Sequence, residues 1–101
     1  MIDFDQLDLH LNEDRKHYEL HVEGKVAFVE YIKAQQQIYL THTEVPNSLE
    51  GNGVASNLIL KVLKEVEILD LQLVPLCPFV ASYIKRHPEW KKLVMRGINI
   101  D

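Results

Sequence analysis

The strongest constraint in this sequence is a change of hydrophobic period near Gly51 and Gly53. Before that point apolar residues recur every second position; after it they recur every third or fourth. Leu7, Leu9 and Leu11 alternate with Asp8, His10 and Asn12, and Tyr18, Leu20 and Val22 alternate with His17, Glu19, His21 and Glu23. A period of two predicts strands with one face buried. Glu23-Gly24-Lys25 is a hairpin turn. Residues 26–32 are β-branched and aromatic, and predict a third strand buried on both faces. Gln35, Gln36 and Gln37 turn the chain into a fourth strand over 38–45, which Pro46 ends because proline cannot donate to a sheet ladder.

Beyond the glycines, Val54, Leu58, Val62 and Val66 lie four apart and predict an amphipathic helix over about residues 53–69. Residues 71–76 read as a buried fifth strand that Pro75 distorts or ends. Pro78 suits the first turn of a following helix with Phe79, Tyr83 and Ile84 inward. Pro88 breaks that helix and opens a last short one over 89–95, with Trp90 as a lid or core aromatic; residues 97–100 are a tail or an edge strand. The order β-β-β-β-α-β-α is an α/β (α+β) class: a four-stranded antiparallel meander, a right-handed helical crossover to a parallel fifth strand, and a C-terminal helix.

A chain of 101 residues with 47% apolar residues suits one domain spanning residues 1–101. Its net charge of −4 argues against a nucleic-acid partner, and Lys85-Arg86-His87 and Lys91-Lys92 read as solvated helix faces. No apolar run reaches the roughly 18 residues of a membrane span, and residues 1–5 lack a signal-peptide pattern. Cys77 is the one cysteine, so an internal disulfide and a multi-thiolate metal site are excluded, and a cytoplasmic location is expected. His17 and His21 share a strand face without an obvious third ligand, so no metal is expected.

Two glycines between a strand and a helix admit two readings. They let the chain turn, or they curl the backbone so that successive N–H groups and the helix dipole face an anion such as a phosphate. The segment Glu50-Gly51-Asn52-Gly53-Val54-Ala55 resembles the acetyl-CoA signature of the GNAT superfamily of N-acetyltransferases, Gln/Arg-x-x-Gly-x-Gly/Ala. Gly53 and Ala55 fill its last two places, and Glu50 stands where Gln or Arg is usual. The run from Val74-Pro75-Leu76-Cys77-Pro78-Phe79 to Pro88-Glu89-Trp90, with His42-Thr43-Glu44-Val45-Pro46, is similar to small single-domain GNAT-like proteins of the YjdJ type. The likeness covers about residues 8–95.

That resemblance implies acetyl-CoA as cosubstrate and an unidentified amine as acceptor; a monomer or weak homodimer is expected. It implies backbone contacts from Gly51, Asn52, Gly53, Val54, Ala55 and Ser56 to the CoA pyrophosphate, with Val45, Cys77 and Tyr83 completing the cofactor site. Glu50 would weaken that binding by like-charge repulsion. On the fourth strand Glu44, and after it His42, is the base that keeps the amine neutral, both expected on one face together with Leu40. Tyr83 would protonate the departing CoA thiolate. Cys77, at a helix N-terminus beside the acyl group, is either a nucleophile that carries acetyl or bonds CoA through a disulfide, or a small buried apolar group. The competing function is a non-catalytic CoA-binding or interaction module.

Overall fold

The computed structural model describes residues 2–100; the ends of the expected domain, Met1 and Asp101, lie outside the described residues. Strands β1 (Leu9–Asn12), β2 (His17–Val22), β3 (Lys25–Ala34) and β4 (Gln37–Glu44) precede helix α1 (Val54–Ile68). Strand β5 (Gln72–Pro75), helix α2 (Pro78–Arg86) and a 3-10 segment (Pro88–Leu93) follow. Further 3-10 turns occupy Phe4–Gln6 and Asn47–Leu49.

The sheet order is β1-β2-β3-β4-β5, so the meander keeps its sequence order in space. At the β2–β3 turn Glu23 and Gly24 both have positive φ, 52° and 80°, the twist a two-residue hairpin needs. Strand β5 then returns parallel to β4, with Gln37 opposite Gln72 and Leu40 opposite Pro75. The helix between them supplies the crossover.

Helix α1 turns Val54, Leu58, Ile59, Val62, Leu63 and Val66 inward. They join Tyr18, Leu20, Val22, Ala27, Val29, Tyr31, Ile38 and Leu40 from the sheet, and Val80, Tyr83, Ile84 and Trp90 from the C-terminal part, in one hydrophobic cluster. Trp90 is therefore a core aromatic. Every residue of this cluster is apolar or aromatic, and no charged side chain is buried among the described residues.

Three sequence expectations are corrected. β3 is buried on one face only: Ala27, Val29 and Tyr31 are covered, while Val26 and Ile32 are 38% and 56% exposed on the other face. The helices cover the inner side of the strand, so its outer apolar residues stay wet. β1 starts at Leu9, and Leu11 is 46% exposed, because this short edge strand outruns the helix layer. The last helix is a 3-10 segment ending at Leu93. After it the chain makes one parallel bridge, Val94 to Leu73, in which the Met95 N–H donates to the Leu73 carbonyl at 2.8 Å. Residues 97–100 form no strand.

Tyr18 is the exception to a well-satisfied core. Its hydroxyl is buried without a hydrogen-bond partner, and its ring lies 5.0 Å from that of Tyr31. Burial first, then the Glu65 carboxylate and Tyr31, push its pKa up to about 12. An unpaired buried hydroxyl costs about 1–3 kcal/mol of desolvation. Tyr18→Phe is therefore expected to stabilise the fold by about 1 kcal/mol in urea unfolding at pH 7. The raised pKa also sets a pH window. Below the ordinary tyrosine value both folded and unfolded chains keep the proton. As pH rises from there toward about 12 only the unfolded chain releases it, so stability falls by roughly 2–3 kcal/mol. The stability difference between wild type and Tyr18→Phe should therefore widen by that amount across this range, always in favour of phenylalanine; a constant difference would contradict the assignment.

Candidate functional site

The site begins where the β4–β5 ladder stops. The last rung is the Cys77 N–H donating to the Leu40 carbonyl at 2.8 Å. Past it the chain enters α2 through Pro78, while β4 runs on to Glu44 with no β5 partner. Its pairing with β3 is broken by a bulge in β4 itself: Glu30 pairs with His42 and Tyr31 with Leu40, leaving Thr41 of β4 unmatched.

The bulge changes which side chains face which way. Leu40 is fully buried on the helix side. Beyond the bulge Thr43 takes that side, opposite the buried Val29, while His42 and Glu44 pair with Glu30 and Phe28 on the outer face. Leu40, His42 and Glu44 therefore do not share a face, which corrects the simple alternation read from the sequence.

A cleft of about 390 Å³ opens beside Thr43 and Val45. Leu49, Glu50, Gly51, Gly53 and the first residues of α1, Val54, Ala55 and Ser56, form its other wall, and Phe79 of α2 closes one side. Gly51 and Gly53 have φ of 82° and 78°. A Cβ on Gly51 would meet nothing within 4 Å, and one on Gly53 only Asn57 Nδ2 at 3.6 Å. Space does not demand glycine here; the left-handed backbone does.

Gly53 caps α1 with no side-chain hydrogen bond, and the first turn carries no acidic residue. The first intrahelical bond of this end runs from the Asn57 N–H to the Gly53 carbonyl, 3.1 Å, and Asn57 Nδ2 donates to the same oxygen at 2.9 Å. The amides of Val54, Ala55 and Ser56 thus precede the first helical bond, at the positive end of the dipole. Asn52 does not line the cleft. Its Nδ2 donates to the carbonyls of Leu49 and Glu50 at 3.1 and 3.3 Å and pins the loop from behind. Glu50 does line it, which places a carboxylate at the rim.

Cys77 is 4% exposed and lies just behind the cleft wall. Its Sγ is 3.3 Å from Thr43 Oγ1, a hydrogen bond in which either atom can donate. Tyr83 stands apart. It is 5% exposed, packs in the core with its ring 4.3 Å from that of His87, and does not line the cleft. Burial raises its pKa above the ordinary tyrosine value, Glu89 adds to this, and Arg86 opposes it.

Of the sequence-predicted residues, the structure gathers Val45, Gly51, Gly53, Val54, Ala55 and Ser56 around one cleft, with Cys77 in contact through Thr43. His42, Glu44, Asn52 and Tyr83 lie outside its lining. Thr43, Leu49 and Phe79 line it without having been singled out from sequence. Phe79 stands one helical turn before Tyr83 and was legible as an inward position; Thr43 depends on the bulge. Among the described residues no group of three or more His, Cys, Asp or Glu could hold a metal, and no helix is long and apolar enough to cross a membrane.

The family model for GCN5-related N-acetyl-transferase matches residues 17–93, from the first residue of β2 to the last of the C-terminal 3-10 segment. Since that stretch holds most of the chain and every residue lining the cleft, the chain belongs to the GCN5-related N-acetyltransferase family.

Proposed function

We propose that this chain binds acetyl-CoA in the cleft and transfers the acetyl group to an amine. Members of its family use acetyl-CoA as cosubstrate. The observation that carries the reading is the uncapped N-terminus of α1, with its left-handed Gly51 and Gly53, opening into a cleft whose far wall is Thr43. The donor set fits a pyrophosphate: backbone amides, a helix dipole, and no acidic residue in the first turn. The open space at Gly51 leaves the approach clear. Glu50 works against it, because a rim carboxylate repels an anion. Within the family we read the chain as one of the small YjdJ-type group, and a single buried thiol suits a reducing cytoplasm.

In the transfer the amine nitrogen attacks the thioester carbonyl, the C–S bond breaks, and CoA leaves as a thiolate while the attacking nitrogen gives up a proton. Glu44 and His42, on the outer side of the free end of β4, are the bases assigned to that proton. Cys77 is the candidate to carry the acetyl group transiently, and Tyr83 to return a proton to the thiolate. A second reading, a CoA-binding module without transferase activity, is favoured by one observation: neither Tyr83 nor the two bases line the cleft.

Calorimetry with CoA and acetyl-CoA tests what the two readings share, and is expected to show saturable one-to-one binding; none would sink both. Mass spectrometry after incubation with acetyl-CoA and a panel of amines separates them. Acetylated product is expected. Glu44→Gln is expected to slow it by a factor of about 10²–10⁴, the usual contribution of a positioned base. Binding without product selects the module. Undiminished transfer by the combined Glu44→Gln, Tyr83→Phe and Cys77→Ala variant would remove the residue roles while leaving the reaction.

A further inference from the structure

The cleft wall holds a hydroxyl for which the transfer scheme above has no use. Tyr83, assigned to the CoA sulfur, does not line the cleft. Thr43 does, on β4 beyond the point where β5 leaves the sheet. The other hydroxyl of the lining, Ser56, lies in the first turn of α1, where the phosphates would bind.

Three features set the place of Thr43. The bulge at Thr41 turns it to the helix side. The Cys77 N–H, donating to the Leu40 carbonyl at 2.8 Å, is the last rung before the strands part. Across the gap that follows, Thr43 Oγ1 and Cys77 Sγ are 3.3 Å apart. The hydroxyl is thereby held at the root of the split between β4 and β5, with the glycine loop and α1 on the other wall. CoA carries its phosphates and its sulfur at opposite ends of the pantetheine arm. A ligand with its phosphates on the amides of Val54, Ala55 and Ser56 therefore presents its sulfur away from them, toward that split.

The surroundings also favour one sense for the Thr43–Cys77 hydrogen bond. A threonine hydroxyl has one proton and two lone pairs. Cys77 is 4% exposed, whereas Thr43 is partly exposed and faces the cleft. With the buried thiol donating, Oγ1 accepts from behind and keeps its own proton for the cleft. The opposite sense would spend that proton on a weak sulfur acceptor and leave the thiol proton unused in the core.

We propose that Thr43 donates a hydrogen bond to the CoA sulfur as the C–S bond of acetyl-CoA breaks, and that Cys77 is the positioning residue that orients it. This rests on the acetyltransferase reading above and supplies a residue for its leaving group. The electron pair of the broken C–S bond stays on sulfur. Oγ1–H hydrogen-bonds to that charge and keeps its proton, because an alcohol is a weaker acid than a thiol. The proton lost by the amine nitrogen goes to the base on β4, as before. A donor already aimed at the place where charge develops needs no reorganisation during the reaction. The bond from Cys77 polarises the hydroxyl and strengthens it as a donor. In this role Cys77 keeps its proton and acts through Thr43, which is distinct from carrying the acetyl group itself.

Bound CoA offers the same sulfur without any transfer, so its thiol is titrated first. Ultraviolet thiolate absorbance is followed against pH, with acetyl-CoA-bound protein as the blank so that only the ligand sulfur is read. The thiol is expected to ionise about one pH unit lower on the wild-type protein than on Thr43→Val, the worth of one hydrogen bond to a charged group. Thr43→Ser, which keeps the hydroxyl, is expected to recover most of that shift. In transfer, Thr43→Val is expected to lower kcat by about ten- to a hundredfold and to leave acetyl-CoA affinity within about threefold. Cys77→Ala is expected to lower kcat by about fivefold, and Cys77→Ser, whose hydroxyl still donates, to recover most of that loss. Equal titrations for the wild type and Thr43→Val, both with CoA bound, would overturn the proposal and leave the transferase reading standing. Cys77→Ser as slow as Cys77→Ala would overturn the positioning role. A lowered titration without acetylated product keeps the sulfur contact and removes the transferase reading. Absence of saturable CoA binding removes both.

Discussion

Gly53→Val is expected to abolish saturable CoA binding at concentrations where the wild-type protein is fully bound. Gly53 holds φ at 78° as the residue that starts α1. An L side chain pays about 1–2 kcal/mol in that region, and a β-branched one is a genuine outlier there. A Cβ at this site would meet only Asn57 Nδ2 at ordinary van der Waals distance, so the effect is not a clash. It is conformational. To escape the left-handed well the loop must rebuild, and the amides of Val54, Ala55 and Ser56 then cease to converge on the cleft. The control is Gly53→Asn, because asparagine tolerates the left-handed region. It is expected to keep most of the affinity, within about tenfold, whereas valine does not. Calorimetry on the three proteins, each checked for helix content, decides it. Equal affinity for valine and glycine would show that the glycine serves the turn alone.

Leu63→Ala is expected to cost about 3–5 kcal/mol in urea unfolding, the largest single effect on stability. Leu63 is fully buried on the inner stripe of α1, in the cluster joining α1 to the sheet and α2. Removing its branched end deletes apolar area and leaves a cavity that a β-sheet floor cannot collapse to fill. For a domain of 101 residues the whole stability is on the order of 5–15 kcal/mol, so this one change consumes a large share of it. Ile68→Ala is the counterpart: Ile68 is on the same helix but 77% exposed, and its loss is expected to stay within about 0.5 kcal/mol. A comparable loss from the two would mean that α1 is packed along a different stripe.

Most of the architecture was legible because period is a local signal. Tyr18, Leu20 and Val22 are all inward, as their alternation required, and Val54, Leu58, Val62 and Val66 form the buried stripe of α1. Pro75, Pro78 and Pro88 each mark an observed boundary, since a missing N–H acts on its own residue. The depth of burial was harder. Val26 and Ile32 look like core residues in composition, yet nothing covers the outer face above them, and that is decided by layers the sequence does not display. The glycine loop was legible in the sequence only as either a turn or an anion site, and its likeness to the acetyl-CoA signature is what favoured the second. Thr43 was not. Its direction depends on a mismatch between two strands at Thr41, a property of pairing rather than of either strand alone.

The two margins of the sheet differ in a way that bears on assembly. On the β5 side the Met95 N–H already occupies the Leu73 carbonyl, and the chain crosses the margin there. On the β1 side Leu9–Asn12 has a partner strand on one side only. A sheet blocked at one margin and open at the other can be lengthened once. Two copies joining β1 to β1 about a two-fold axis would consume both open margins and leave blocked ones outside. Strand-on-strand pairing is thereby steered to the β1 margin so long as residues 94 and 95 stay in place.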